Sequence, residues 1–285
     1  MVEVECELCG GNPPKSATPQ CVRCGQFIGY PNVREVEHED EKDALEARYQ
    51  KAIEESKRRG AYTRLMGFEA DMQSTHAVIN VNIDFLYHFI KFHRALYSTY
   101  TLQTEGEIRK MATSEDDKRR KGVEGTLFGS YAKEIRYAAL ALDGPGLTSY
   151  GPFTLQLRPE TITIRATLLE ENSYDFVKKH RILAGEQLPP GYRARWPERH
   201  KLAVAKHAEH ISENTKAEAH AGILLSSEGK REKDSFIEVH IYGPFDLGAI
   251  EAVMGKVDTK SKRERATLED IKEFLEREGI AFLEP

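Results

Sequence analysis

The chain has 285 residues, 40% hydrophobic and 31% charged, with a formal net charge of −5. That is enough apolar chain for one large core or two modest domains, and the negative balance argues against a protein that coats nucleic acid over its whole surface. No apolar run of about 18 residues occurs, so no membrane span is expected, and the start Met-Val-Glu-Val-Glu-Cys lacks the basic head and apolar core of a signal peptide, so a cytosolic protein is expected.

All four cysteines fall in Cys6-Glu-Leu-Cys9 and Cys21-Val-Arg-Cys24, each pair followed by a glycine, Gly10 and Gly25. The spacing predicts a zinc ribbon over residues 1–35. Each Cys-x-x-Cys makes a tight knuckle, the glycine permits the positive φ that follows it, and two knuckles complete a tetrahedral shell for Zn2+. Two disulfides are the competing pattern, disfavoured in a cytosolic chain with no other cysteine. A closed shell has no open position for water, so the ion is expected to be structural.

Residues 36–122 read as a helical region. Ala44, Leu45, Tyr49 and Ile53 recur at helical spacing among many charges and predict an exposed helix over Val36 to Arg59. From Glu69 to about Met111 the apolar residues, among them Val78, Ile79, Val81, Ile83, Leu86, Phe89, Ile90 and Phe92, are too dense for one stripe and predict a helix buried on more than one side. His76, His88 and His93 lie along it as core or cleft-edge histidines. Ser114 to Gly122, which contains Lys118-Arg119-Arg120-Lys121, predicts a charged loop that separates this region from a domain over 123–257.

In that domain, Phe128 to Leu142 suits a helix with Ile135, Ala138, Ala139 and Leu142 on one face, and Asp143-Gly-Pro-Gly is a turn. Tyr150 to Leu157 alternates as a strand, and Thr161 to Leu169 is a second, rich in β-branched residues. The latter ends in the polar run Glu170-Glu-Asn-Ser-Tyr-Asp-Phe176. Asn172 and Ser173 can cap the helix that continues through Phe176, or Ser173 can be a functional hydroxyl. Arg193, Arg195 and Arg199 surround the only tryptophan, Trp196, as either a stacking platform for a base or a core anchor. A helix is expected from Pro197 to Ile211.

The most informative stretch is Asp234 to Gly243, an apolar-rich strand with Glu238 in its middle. An ionised side chain there needs water or a partner, so Glu238 sits either on a solvated face or, beside His240, in a cleft. Residues 258–285 read as a charged linker and a helix capped near Thr267, with Leu268, Ile271, Phe274 and Leu275 as its apolar face.

Three of these motifs, Tyr150-Gly, Ile164-Arg-Ala-Thr-Leu-Leu-Glu-Glu-Asn-Ser173 and Phe236-Ile-Glu-Val-His-Ile-Tyr-Gly243, together resemble mono-ADP-ribosyltransferases of the arginine-serine-glutamate type, especially bacterial and phage-associated toxin domains. The likeness spans about Leu127 to Val253. It implies an α+β chain in which ribbon and helical segment precede a split β-sheet domain, with NAD as substrate. Glu238 would be the carboxylate near the ribose 2′-OH, Ser173 a bracing hydroxyl and Arg165 the phosphate-side cation, with Arg136 and Arg158 as competitors for that role. Tyr150, Asn172 and His240 would be further NAD contacts.

Two departures qualify the resemblance. Position 236 is Phe where arginine-modifying members carry Glu or Gln, which puts arginine in doubt as the acceptor and leaves protein, RNA or DNA open. Glu-Asn-Ser replaces the usual Ser-Thr-Ser. A toxin or phage-defence effector with a neutralising antitoxin partner is the implied role; a non-catalytic zinc-ribbon nucleic-acid-binding protein and an NAD glycohydrolase are the alternatives.

Overall fold

The structure is a computed structural model that describes residues 6–10, 18–91, 96–97, 114–256 and 261–284, with the backbone alone for 114–120. His93, Phe92 and Met111 lie outside the described residues. Helices Pro31–Val36 (α1), Glu39–Arg58 (α2) and Tyr62–Asp71 (α3) come first. In α2 the acidic Glu39, Asp40 and Glu41 occupy the first turn and Lys57 and Arg58 the last, matching the helix dipole, while Leu45, Ala52 and Ile53 turn inward.

The next segment departs from the sequence expectation. His76–Val81 (β1) is a strand, and helix is restored only at Ile83–Lys91 (α4). Density of apolar residues does not separate a buried helix from a strand covered on both faces; the β-branched Val78, Ile79 and Val81 suit the latter. Ser114–Phe128 (α5) is a helix where the charge run predicts a loop. Its last residues, Leu127 and Phe128, are buried, and tertiary packing overrides a weak local pattern.

Ile135–Ala141 (β2) is likewise a strand where spacing predicts a helix, because it is paired on both sides. Phe153–Leu157 (β3) follows, then the short helix Pro159–Ile162 (α6). The proline-initiated turn delays Ala166–Leu169 (β4) by several residues relative to the expected start at Thr161. Ser173–His180 (α7), Arg193–Arg195 (β5), Arg199–His207 (α8) and His220–Leu224 (α9) lead to Glu238–Tyr242 (β6) and Ile250–Gly255 (β7). Lys262–Arg277 (α10), capped by Ser261 and not Thr267, crosses to Ala281–Leu283 (β8).

Among the described residues the strands form one mixed eight-stranded sheet in the order β5-β4-β6-β2-β1-β3-β7-β8. Every pairing is antiparallel except β7 with β8, which are parallel and joined through α10. Since β1 lies between β2 and β3, the sheet takes strands from both sides of residue 122. The chain is thus α+β with an N-terminal cysteine cluster, as expected.

One sheet face, carrying Ala138, Leu140, Leu168, Val239 and Ile241, packs with Leu65, Phe68, Leu202 and Val204 in the main core. Each of the larger side chains contributes about 1.5–3 kcal/mol by burial. The other face carries two smaller apolar groups. One contains Leu127, Phe128, Tyr131, Leu169, Phe176 and Tyr242, and the other Val78, Ala139, Ala141, Leu147 and Phe236. Glu238 is the register partner of Leu169 from the first group and of Ala139 from the second, so it lies on the seam between them.

Candidate active site

Side chains two apart on a strand share a face, so Glu238 and His240 both project from β6 onto the seam. Glu238 is 6% exposed, His240 3% and Ser173 6%, which obliges the carboxylate to find donors inside the protein. The polar strand end after β4 provides them. Asn172 caps α7 by accepting from the Tyr174 N–H at 3.0 Å, which leaves Ser173 free of capping duty. Ser173 donates to Glu238 Oε2 through its backbone N–H at 2.9 Å and also through its hydroxyl.

His240 Nε2 lies 3.0 Å from the same carboxylate oxygen and 3.2 Å from Ser173 Oγ. All of these contacts to Glu238 use Oε2; among the described residues Oε1 takes none. The His240 ring is held edge-on by Phe128 at 4.9 Å and Tyr137 at 5.4 Å. Serine and carboxylate meet the same imidazole nitrogen. A nucleophilic triad needs them on opposite nitrogens so that the imidazole can relay a proton, and this geometry therefore does not serve acyl transfer.

Charged groups that sequence reading did not assign gather at the same end of the sheet. Glu170 is ion-paired with Arg48 at 2.5 Å, and the Arg48 guanidinium lies 3.9 Å over the Tyr192 ring. Glu171 pairs with Lys179. Lys206 on α8 donates to Phe236 O at 2.8 Å, and burial pulls its ammonium down to about 8, with Glu170 and Glu171 acting in the opposite direction. Asp175 is exposed, and what desolvation it has, with Glu171 and Glu238 adding repulsion, raises its carboxyl. Glu170 and Glu171 are visible as a polar strand end, whereas Arg48 and Lys206 reach the site from distant helices and leave no local signal.

Other expected site residues do not converge on Glu238. Arg165 donates to Thr161 O, Tyr242 O and Pro244 O at 2.8, 3.1 and 2.8 Å. It stands at the Tyr242 end of β6, roughly 13 Å along the strand from Glu238. Arg136 alternates to the opposite face from Tyr137 and donates to Glu134 O at 2.6 Å and Tyr97 O at 3.4 Å. Tyr150 ends a 3-10 turn, where its ring lies under Arg231 at 4.5 Å and packs against the apolar group containing Ala139.

The arginine-tryptophan stretch is a core anchor and not an open stacking platform. Trp196 is 2% exposed. Arg199 donates to Met72 O, Gln73 O, Trp196 O and Thr75 Oγ1, Arg193 pairs with Glu35 and Glu41, and Arg195 pairs with Glu37 and Glu198. Beside His240, a small indentation with room for no more than about one water is bordered by Asn32, Glu35, Phe128, Thr167, Leu169 and Arg193.

The four cysteine sulfurs all lie within 4.8 Å of one another, with Cys6 to Cys24 at 3.5 Å and Cys9 to Cys21 at 3.8 Å, and none is in a disulfide. A tetrahedron of sulfurs about 2.3 Å from a central metal has edges of about 3.8 Å, so the cluster can hold one ion. Gly10 N–H and Gly25 N–H close the knuckles onto Cys6 O and Cys21 O at 2.8 Å each, with φ of 58° and 77°. Backbone N–H groups of Cys24 and Arg23 aimed at the Cys21 sulfur lower its thiol to about 7, whereas at Cys24 the Gln26 backbone N–H is outweighed by desolvation and the neighbouring sulfurs, which push it up to about 12.

No protein-family model and no curated protein matches the chain. Among solved structures it is similar to "Thermus sp. 2.9 DarT in complex with ADP-ribosylated ssDNA", at 12% identity and a TM-score of 0.39, over 74% of this chain and 94% of that one.

Proposed function

We propose that the protein is an NAD-dependent ADP-ribosyltransferase acting on a macromolecule. The observation that carries this reading is the buried Ser173–Glu238–His240 constellation, in which three donors converge on one carboxylate oxygen and leave the other for a ligand. In the reaction, the bond between ribose C1′ and the nicotinamide nitrogen breaks, the electron pair leaves with nicotinamide, and positive charge develops on the sugar. Glu238 Oε1 accepts from the ribose 2′-OH and stabilises that charge, while Ser173 and His240 fix the carboxylate through Oε2. The acceptor nucleophile then bonds to C1′ and releases its proton to water. Lys206, a half-buried cation at the Phe236 end of β6, contributes positive charge toward the pyrophosphate in place of Arg165 and Arg136, which stand toward the Tyr242 end of the strand and away from Glu238.

Phe236 is 5% exposed and packed into the apolar group around Ala139, so position 236 has no polar side chain to orient an arginine acceptor. That favours a nucleic-acid base or another protein side chain. In this reading the cysteine cluster holds Zn2+ as a structural cross-link, through Cys6, Cys9, Cys21 and Cys24, and the protein is a toxin-like effector kept in check by a neutralising partner.

The test is incubation of the pure chain with labelled NAD and a cell lysate divided into protein, RNA and DNA fractions, alongside Glu238→Gln. Label in one fraction with wild type only supports the transferase and names the acceptor class. Nicotinamide release without label in any fraction replaces it by a glycohydrolase, and no release at all overturns both.

A further inference from the structure

The cysteine cluster and the candidate active site are joined by a short series of side chains centred on Asn32. This residue, on α1, is 2% exposed. Its Nδ2 donates to Arg165 O at 3.0 Å, His240 O at 3.2 Å and Thr167 Oγ1 at 3.3 Å. Two of these acceptors are carbonyl oxygens, which only accept, so the amide can face the sheet only through its nitrogen. One side chain thereby clamps β4 to β6 at the register pair Thr167–His240, two residues from Glu238.

The ribbon holds α1 over that point. Arg34 donates from α1 to Gly29 O at 2.6 Å and to Thr18 O at 3.3 Å, within the segment that carries Cys21 and Cys24. Phe27 meets Tyr30 edge-on at 5.4 Å, and Tyr30 meets Tyr242 of β6 at 5.4 Å. With six residues and no side-chain cap, α1 depends on its attachments, these on the ribbon side and Asn32 and the Glu35–Arg193 pair on the sheet side.

We propose that Asn32 is a positioning residue for the His240–Glu238 pair and that metal at the four cysteines keeps it in place, so that occupancy of the ribbon sets the geometry of a site the ion never touches. The functional part of this inference rests on Glu238 being the catalytic carboxylate. Asn32 does not reach the reacting atoms; it acts through the His240 backbone.

The test uses the full-length chain loaded with zinc, the same chain stripped by a chelator, and Asn32→Ala and Asn32→Asp. Two readouts are followed: the His240 ring resonances by NMR, assigned with His240→Gln, and nicotinamide release from NAD. Stripping and each substitution are expected to shift the His240 resonances and to lower kcat about tenfold or more, as losses of supporting contacts do, with a smaller change in KM. Unchanged His240 resonances and kcat in the stripped chain overturn the inference, and that comparison decides it should either Asn32 variant fail to fold. If loaded wild type releases no nicotinamide, the transferase reading falls by itself, while the His240 resonances still report whether the metal governs the site.

Discussion

Glu238 and His240 stand two residues apart on one strand, and their contact uses a single oxygen and a single nitrogen 3.0 Å apart. With Ser173 on the same oxygen, the carboxylate is fixed by one edge and free at the other. Replacing Glu238 by Gln removes the charge and leaves the shape. Nicotinamide release is expected to fall by at least about a hundredfold, mostly in kcat, the range seen when one transition-state-stabilising group is lost. Circular dichroism should show the fold retained, at a cost of about 1–2 kcal/mol because the amide satisfies the three donors less well.

Ser173→Ala deletes the hydroxyl donor but keeps the backbone N–H donor at 2.9 Å. A milder loss follows, about tenfold in kcat and about 1 kcal/mol in stability. Because Asn172 and not Ser173 caps α7, helix content measured by far-ultraviolet circular dichroism should be unaffected.

The parts of the site that sequence alone revealed are those carried on a single element. Glu238 and His240 are legible because the two-residue period of a strand puts them on one face, and Asn172-Ser173 because a polar run between strand and helix is either a cap or a site; here Asn172 takes the cap and Ser173 the contact with Glu238. The four cysteines are legible from spacing. The placement of Arg165 and Arg136 away from Glu238 is not legible, because local sequence does not say that carbonyls at a strand end take up both guanidiniums. Val78 to Val81 and Ile135 to Ala141 read as helix because a strand covered on both faces loses its alternation, and only its pairing partners, dozens of residues away, decide between the two.

Lys206 gives a pH signature. Its folded value of about 8 lies below the usual 10.5, so below pH 8 the unfolded and folded chains both carry the proton and the folded chain pays for burying it. Between pH 8 and 10.5 the unfolded chain binds more protons, and stability rises with pH, by at most about 3 kcal/mol from this residue. Lys206→Met should remove that slope in chemical denaturation measured against wild type and stabilise the protein at pH 7. It should also raise KM for NAD if Lys206 faces the pyrophosphate.

His207 gives the opposite end of the profile. Burial, with Lys206 and His210 adding repulsion, drives its pKa well below 6.5, and neither ring nitrogen has a hydrogen-bond partner among the described residues. Below pH 6.5 the unfolded chain takes up a proton that the folded chain resists, so stability falls as pH falls through that point. Thermal melts at pH 5 and pH 7 should differ less for His207→Leu than for wild type.

For the cysteine cluster, zinc-loaded protein should bind one ion per chain, and X-ray absorption should show four sulfur neighbours at about 2.3 Å. Cys9→Ser should lower affinity and lower the melting temperature of the loaded protein. A shell containing oxygen or nitrogen donors in wild type would rule out the four-cysteine assignment.

Strand β6 is fastened at one end and loaded at the other. Arg165 clasps Tyr242 O and Pro244 O at and just past its last residue, while the contact of Ser173 with Glu238 stands at its beginning and His240 at its middle. A strand registered along its whole length by β2 and β4 and clasped at its far end keeps its place when side chains at its beginning are changed.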